Sequence, residues 1–527
     1  MIGRVLSSVI FIAFLGLYVG TGWGVCNAEQ AKAQSEIPAG GRQMVPSDAV
    51  KSVFWVPRNN PSLAKTDVVP VQGMPFRKAV STQIFKRPSQ PWDIVVGTPL
   101  SGDLEKGDVC LLSFSVRGGA PQGSQASAQA TVYLEMKSRP HKKLLLYPVR
   151  AGSDWNTFFI PFRADEALPD RSIQLIFHLG WGAQTFEVGG MSMLNYGKSK
   201  TLAELPRTPV TYEGCEPDAA WRKKALERID KLRKAPLTVE VVDRQGKPVQ
   251  GAKVHVRMLR HAFGFGSAVG ANLLGVNLDD ANTVKEVLGT YGAARDIQHY
   301  RDLVAKLFNK AVFENALKFI PWIQSQALRP TAYSQEWTDR ALQWLHERDI
   351  AVRGHWIVCG DLEDYPKDLV LGSRSYFWSR LFASIRDKVP AIGSRVVEWD
   401  AVNHLVDGTE NLADHFGSPD VYVEVMKLSR KLAPEIPLWV NEGFILPEGT
   451  RRDEYEKLIR FLIDHDAAPD GIGFMGHFDL LSLTPPEELL HVMDRFARII
   501  PNLQITELDV DVGRQEQLQA DYMRDVM

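Results

Sequence analysis

Cysteine is scarce, with four residues in 527, and Cys26 falls close behind the first apolar segment. The other three, Cys110, Cys215 and Cys359, are scattered, which excludes a disulfide framework and matches no zinc-site spacing. Excess charge of one sign is also lacking: the formal net charge is −2, so composition gives no reason to expect nucleic acid or an acidic membrane as partner. The Gly-rich phosphate loop of an open doubly wound sheet is absent. The first apolar run, Val5 to Val19, is interrupted by Ser7, Ser8 and Gly16 and falls short of the roughly 20 residues that a membrane span needs.

What is present begins with an address. One positive charge at Arg4, the apolar run and the small residues around Cys26-Asn27-Ala28 predict a secretory signal over residues 1–28, hence a secreted or periplasmic chain with no membrane attachment after cleavage. Residues 29–52 are polar and aperiodic and read as a flexible linker. The length predicts two or three domains.

From 53 to 197 short β-rich runs alternate with turn clusters. Val109 to Val116 sets Cys110, Leu112, Phe114 and Val116 on one face, and further runs lie at Thr131–Glu135, Lys143–Tyr147, Trp155–Phe162, Ile173–Leu179 and Phe186–Met191. That spacing predicts a β-sandwich. The ending Gln184–Leu194 resembles the last strands of galactose-binding-like jelly rolls, which are widely used as carbohydrate-binding modules. Trp92, Trp155 and Trp181 are candidate sugar platforms, because an indole face stacks on a pyranose ring. Trp155 sits in an alternating run that suits a core, and Trp181 between two glycines is the better candidate for exposure.

Residues 198–260 read as a connector. A helix is expected over Pro217–Ala235, followed by a hairpin from Leu237–Val242 and Ala252–Met258 about the turn Asp243–Pro248. Beyond it strands and helices alternate, with strands expected at Phe265–Val269, Leu307–Val312, Ala351–Val358, Val396–Asn403, Leu438–Asn441, Gly471–Gly476 and Leu503–Leu508. Helices such as Glu336–Arg348, Tyr376–Arg386 and Pro419–Leu432 intervene. This order predicts a (β/α)8 TIM barrel over 261–527. Only seven strands are counted before a helix at Gln515–Met527, so the barrel is expected to be incomplete at that end or closed by other means.

Within this segment, Phe308–Lys318, Arg353-Gly354-His355, Trp399-Asp400-Ala401-Val402-Asn403, Gly471–His477 and Ile505–Val510 resemble, in order and spacing, the strand motifs of glycoside hydrolase family 10. These are retaining β-1,4-xylanases built on TIM barrels. The resemblance implies Glu507 as nucleophile, with Glu314, Asn315, Lys318, His355, Asn403, Asn441 and His477 holding sugar hydroxyls. It implies no cofactor and a polysaccharide partner, xylan or a related β-glycan. The chain also departs from the pattern. His404 stands where the family has its acid/base Glu, Cys359-Gly360 where a Trp and a His close the third-strand motif, Asn441-Glu442-Gly443 where the fifth strand has Asn-Asp-Tyr, and Met475 where the sixth has Gln.

Read from the residues, Glu507 at a strand end suits nucleophilic attack, and His404 as imidazolium would protonate a leaving oxygen at mildly acidic pH. Glu442, Asp361, Glu363, Asp407 and Glu410 are other carboxylates near that position. His355, His404 and His477 would meet on a metal only with further ligands, and no acidic or cysteine ligand stands at a supporting spacing, so no metal is expected. Three functions stay open: a glycan hydrolase with an altered acid/base, a catalytically degenerate carbohydrate-binding protein, and a surface adhesion or scaffold protein.

Overall fold

The computed structural model describes residues 37–46, 53–56, 62–88, 90–119, 128–288, 293–326, 333–406, 410–447, 449, 451–513 and 515–527. The expected export signal, most of the expected linker and Asp407 lie outside them. The chain divides into two units, one reaching Glu227 and taking in Val512–Arg524, the other running from Arg228 to Asp511 with Asp525–Met527.

The first unit is built by period-two alternation. Its strands are β1 (Arg42–Gln43), β2 (Phe54–Val56), β3 (Ala64–Pro70), β4 (Lys78–Ile84), β5 (Val95–Pro99), β6 (Val109–Gly119), β7 (Ala128–Met136), β8 (Lys143–Ala151), β9 (Asn156–Arg163), β10 (Ile173–His178) and β11 (Gln184–Asn195). They form two antiparallel sheets, β3-β4-β11-β6-β9 with β1 beside β11, and β2-β5-β10-β7-β8. Cys110, Leu112, Phe114 and Val116 of β6, Val132 and Leu134 of β7, Leu175 and Phe177 of β10 and Phe186 of β11 fill one core. Phe114 meets Phe177 edge-on at 5.1 Å. This is the β-sandwich that the alternation predicts.

Part of the expected linker is built into the sandwich, with Arg42 and Gln43 of β1 paired to Asn195 and Leu194 of β11. The Gln43 side chain accepts from the Met193 amide at 3.0 Å and donates to Ser192 at 2.8 Å, and Met44 and Val45 enter the core. Trp92, not Trp181, is the exposed indole, at 57%. Trp181 is half-buried, and Trp155 is held edge-on by Phe76 at 5.2 Å and under Arg117 at 4.9 Å. The helix Glu516–Val526 packs in this unit through buried Tyr522, edge-on to Tyr212 at 4.9 Å.

In the second unit the expected hairpin is reduced to its turn. Asp243 and Lys247 pair at 2.8 Å and Val249 donates to Val241 at 2.8 Å, but no strand forms on either side among the described residues, and Val256, Met258 and Leu259 are exposed. Two strands with no third to pair with and no layer to pack on are marginal in water.

The sheet that follows is parallel throughout. It comprises β12 (Gly266–Val269), β13 (Lys310–Phe313), β14 (Ala351–Gly354) with its short continuation β15 (Val358–Cys359), β16 (Glu398–Asn403), β17 (Leu438–Glu442), β18 (Gly471–Asp479) and β19 (Leu503–Asp511). Neighbours follow sequence order from β12 to β19, with β15 also on β16. This is the βα-barrel curvature of the (β/α)8 class with seven strand positions. The strand expected at Leu307 begins at Lys310, because Ala294–Leu307 is a helix that buries Ile297 and Val304. Gly354 is obligatory where it stands: a Cβ there would lie 2.3 Å from the Trp399 ring on the neighbouring strand.

Candidate active site

Barrel enzymes collect their chemistry at the C-terminal ends of the strands, and the polar residues here concentrate at that end. A charged layer lies beneath them inside the barrel. Arg353 of β14 grips Asp400 of β16 through two nitrogens, Nε at 3.0 Å and Nη2, and donates to Glu398 at 2.7 Å and Gln504 at 3.0 Å. Lys310 reaches Glu398 at 2.6 Å, and Gln504 returns a bond to Glu398 at 2.9 Å. Burial pushes the Asp400 and Glu398 carboxyls up, but Arg353 and its partners outweigh it and hold both below their ordinary range. The same ion pairs hold the Arg353 guanidinium firmly protonated. Bidentate pairing of this kind fixes strand register as well as charge.

Above this layer stands Glu507. Its Oε1 accepts from Asn441 Nδ2 at 2.9 Å and its Oε2 faces His477 Nε2 at 3.1 Å. Asn441 is fully buried; its Nδ2 also donates to Asn403 Oδ1 at 2.8 Å, and its Oδ1 accepts from Thr506 at 2.6 Å. His477 is held on its other nitrogen by Asp509 at 2.6 Å. The hydrogen bonds to Glu507 and Asp509 raise the His477 imidazole to about 9, so it is an imidazolium at neutral pH. Burial alone would raise the Glu507 carboxyl, but the His477 hydrogen bond and nearby His355 prevail and depress it. Glu507 is therefore a carboxylate aimed by two donors, with no proton of its own to give.

His355 follows β14, is buried, and sets Nδ1 2.9 Å from Asp400. A buried lysine lies nearby. Lys388 donates to the carbonyls of Leu317 and Trp356 at 2.7 Å each and of Ile357 at 3.2 Å, and burial lowers its ammonium to about 7. It thereby ties the backbone before Lys318 to the backbone after His355.

His404 directly follows β16 and lies in the left-handed region, with φ +53°. Its amide donates to the Asn441 carbonyl at 2.9 Å, and its Nδ1 faces Glu442 Oε1 at 3.7 Å. The structure thus brings Glu507, Asn441, Asn403 and His477 into one hydrogen-bonded group, with His355 electrostatically coupled to it. Glu314, exposed, and Asn315 and Lys318, half-buried, stand at the end of β13. Among the described residues their side chains make no hydrogen bond to that group. The three histidines point to separate carboxylates, and among the described residues no cluster suited to a metal ion occurs.

Sequence reasoning gave no role to Asp509, Asp400, Arg353, Glu398, Gln504 or Lys388. Asp509 had a signal, since i and i+2 on a strand share a face and Glu507 therefore brings Asp509 beside it. Lys388 had none; it reads as one more polar residue of the helix Arg374–Ile392.

A parallel barrel that presents an aimed carboxylate among sugar-type hydrogen-bonding groups at its C-terminal rim defines the class of the barrel glycoside hydrolases. Residues 278–527 match the model of Glycosyl hydrolase family 10. Among its relatives, "Endo-1,4-beta-xylanase B" of Paenibacillus barcinonensis is 26% identical over 253 residues, covering 46% of this chain and 73% of that protein. "Beta-1,4-xylanase" of Dictyoglomus thermophilum is 26% identical, covering 44% and 66%. A solved structure of the CBM22-1 and GH10 modules of the Clostridium thermocellum endo-1,4-beta-D-xylanase 10B, bound to xylohexaose, aligns over 90% of this chain and 84% of that one, at 14% identity and TM-score 0.39.

Proposed function

We propose that the protein hydrolyses β-1,4-linked xylan-like polysaccharide with retention, using Glu507 as nucleophile and His404 as an altered acid/base. The observation that carries the reading is the Glu507 carboxylate, ionised and oriented by Asn441 and His477 at a barrel strand end. In the first step Glu507 bonds to the anomeric carbon while the bond to the leaving oxygen breaks and a proton reaches that oxygen from His404. In the second, His404 takes a proton from water as the water's oxygen displaces Glu507. Asn403, His355, Lys318, Asn315 and Glu314 would bind glycone hydroxyls. We place the chain outside the cytoplasm on its amino-terminal signal pattern, and the sandwich as a glycan-binding module whose exposed Trp92 is the stacking platform.

Reducing-sugar release from xylan tests the hydrolase directly. One observation favours a second reading, a binding protein on a degenerate barrel: an imidazole occupies the position where the family has its acid/base carboxyl. Retention of the protein on insoluble xylan with no sugar release would establish that alternative.

A further inference from the structure

Glu442 is the one residue of the fifth-strand departure that carries a charge, and its placement gives it a task. Its side chain has no exposed surface (0%), yet its Oε1 faces His404 Nδ1 at 3.7 Å. The carboxylate is fixed from behind, with Oε2 accepting from the Val406 amide and Oε1 from the Gly443 amide at 2.8 Å. Pinned in this way, it cannot swing out to protonate a substrate. A buried carboxylate is costly unless it is hydrogen-bonded or set against a positive charge, and the backbone amides leave its Oε1 turned to the imidazole. Tyr422 and Cys359, close by, are kept neutral by burial, while Arg451 donates to the Val406 carbonyl at 3.2 Å.

The backbone is shaped for the same arrangement. A Cβ on Gly360 would lie 1.8 Å from the His404 carbonyl oxygen and 3.0 Å from the Tyr422 hydroxyl. Any larger residue at 360 would displace His404. The change at 360 is therefore fitted to the backbone of 404, and the side chain of 404 lies beside that of 442, which scattered loss of a site does not require.

We propose that Glu442 is the positioning residue of a His404–Glu442 dyad: it orients the imidazole through Nδ1, so that Nε2 is the nitrogen that exchanges the proton with the substrate. The inference rests on the reading of His404 as acid/base. In glycosylation the Nε2–H bond breaks and its proton goes to the glycosidic oxygen, which keeps the electron pair of the broken C–O bond as Glu507 bonds to the anomeric carbon. In deglycosylation Nε2 takes the proton from the attacking water and Glu507 leaves as carboxylate. The contact at 3.7 Å is that of a free site, and such bonds tighten when substrate is bound.

The test is the leaving-group dependence of kcat/KM for Glu442→Gln, on xylan and on aryl β-xylobiosides with phenols of graded acidity. The variant is expected to lose about 10- to 100-fold on xylan and on the poorest leaving groups, and no more than about threefold on the most acidic phenol, which needs no proton. In a His404→Glu background the same change should cost less than about threefold on xylan, since no imidazole remains to orient. An equal loss on all substrates, an equal loss in both backgrounds, or no loss would overturn the dyad. A second measurement needs no Glu442 variant. With [15N]histidine-labelled protein, assigned through His404→Gln, neutral His404 should carry its proton on Nδ1, and protonation on Nε2 alone would overturn the proposal. If the unsubstituted protein attacks neither xylan nor the most activated aryl glycoside, the hydrolase reading itself has failed. If it turns over and Glu442→Gln loses activity uniformly, only the dyad falls.

Discussion

The two sides of the cleft are built on different terms. On the nucleophile side Glu507, His477, Asp509 and Asn441 are joined by direct hydrogen bonds of 2.6 to 3.1 Å, and each residue is the one the family resemblance implies or lies within its motif. On the opposite side His404, Glu442 and Gly360 depart from the pattern; His404 and Glu442 meet at a longer 3.7 Å contact, and the histidine backbone is left-handed. One side is a finished electrostatic device in the absence of substrate. The other depends on an imidazole whose orientation is set by a buried neighbour. On the proposed mechanism, change falls where the site would move a proton and not where it would form a bond, because several groups can carry a proton and the attacking carboxylate must fit one trajectory.

The largest effect should come from the intact side. Glu507→Ala is expected to lower xylan turnover by about three orders of magnitude or more, measured as reducing-sugar release, because no other group is aimed at the anomeric carbon. Residual activity near the unsubstituted level would erase the contrast between the sides. Beneath both sides, Arg353→Met should strip the guanidinium from buried Asp400 and Glu398, leaving them only His355 and Lys310 with Gln504, and destabilise the barrel unit by about 3 kcal/mol in urea unfolding. On the rebuilt side, His404→Glu should raise xylan turnover about a hundredfold, if a carboxyl is the better donor for the same geometry.

The smallest effect is spectroscopic. Asp509→Asn should bring the His477 pKa down from about 9 toward the ordinary imidazole value, read by NMR titration. The sign follows from the raised folded-state value. The stabilisation from the His477 pairing is fully present below the unfolded pKa and is lost as pH rises through about 9, so activity should fall on that alkaline limb.

Much of this was legible in the sequence. Alternation in β6, β7 and β10 and the βα order gave both fold classes, because apolar periodicity reports which face is buried. The motif ends located Glu507, His477, Asn441 and Asn403. What stayed hidden was relational. Asp243–Pro248 forms its turn as the local chemistry demands, but the strands expected on either side need a partner sheet that local sequence does not report. Lys388 looks like a surface lysine until the fold bends three carbonyls around it. Glu442 was one of several carboxylates near His404 in the sequence, and its burial and its bonds to the Val406 and Gly443 amides are visible only in the fold.

On the proposed mechanism a working nucleophile stands opposite a substituted acid. Its most direct test is mass spectrometry of the protein quenched during the pre-steady-state phase with an aryl β-xylobioside bearing a highly acidic phenol. A burst of phenol equal to the protein present is expected, with a covalent xylobiosyl adduct on the peptide containing Glu507 that is absent from Glu507→Ala. No burst and no adduct, from protein that still binds xylan, would contradict it.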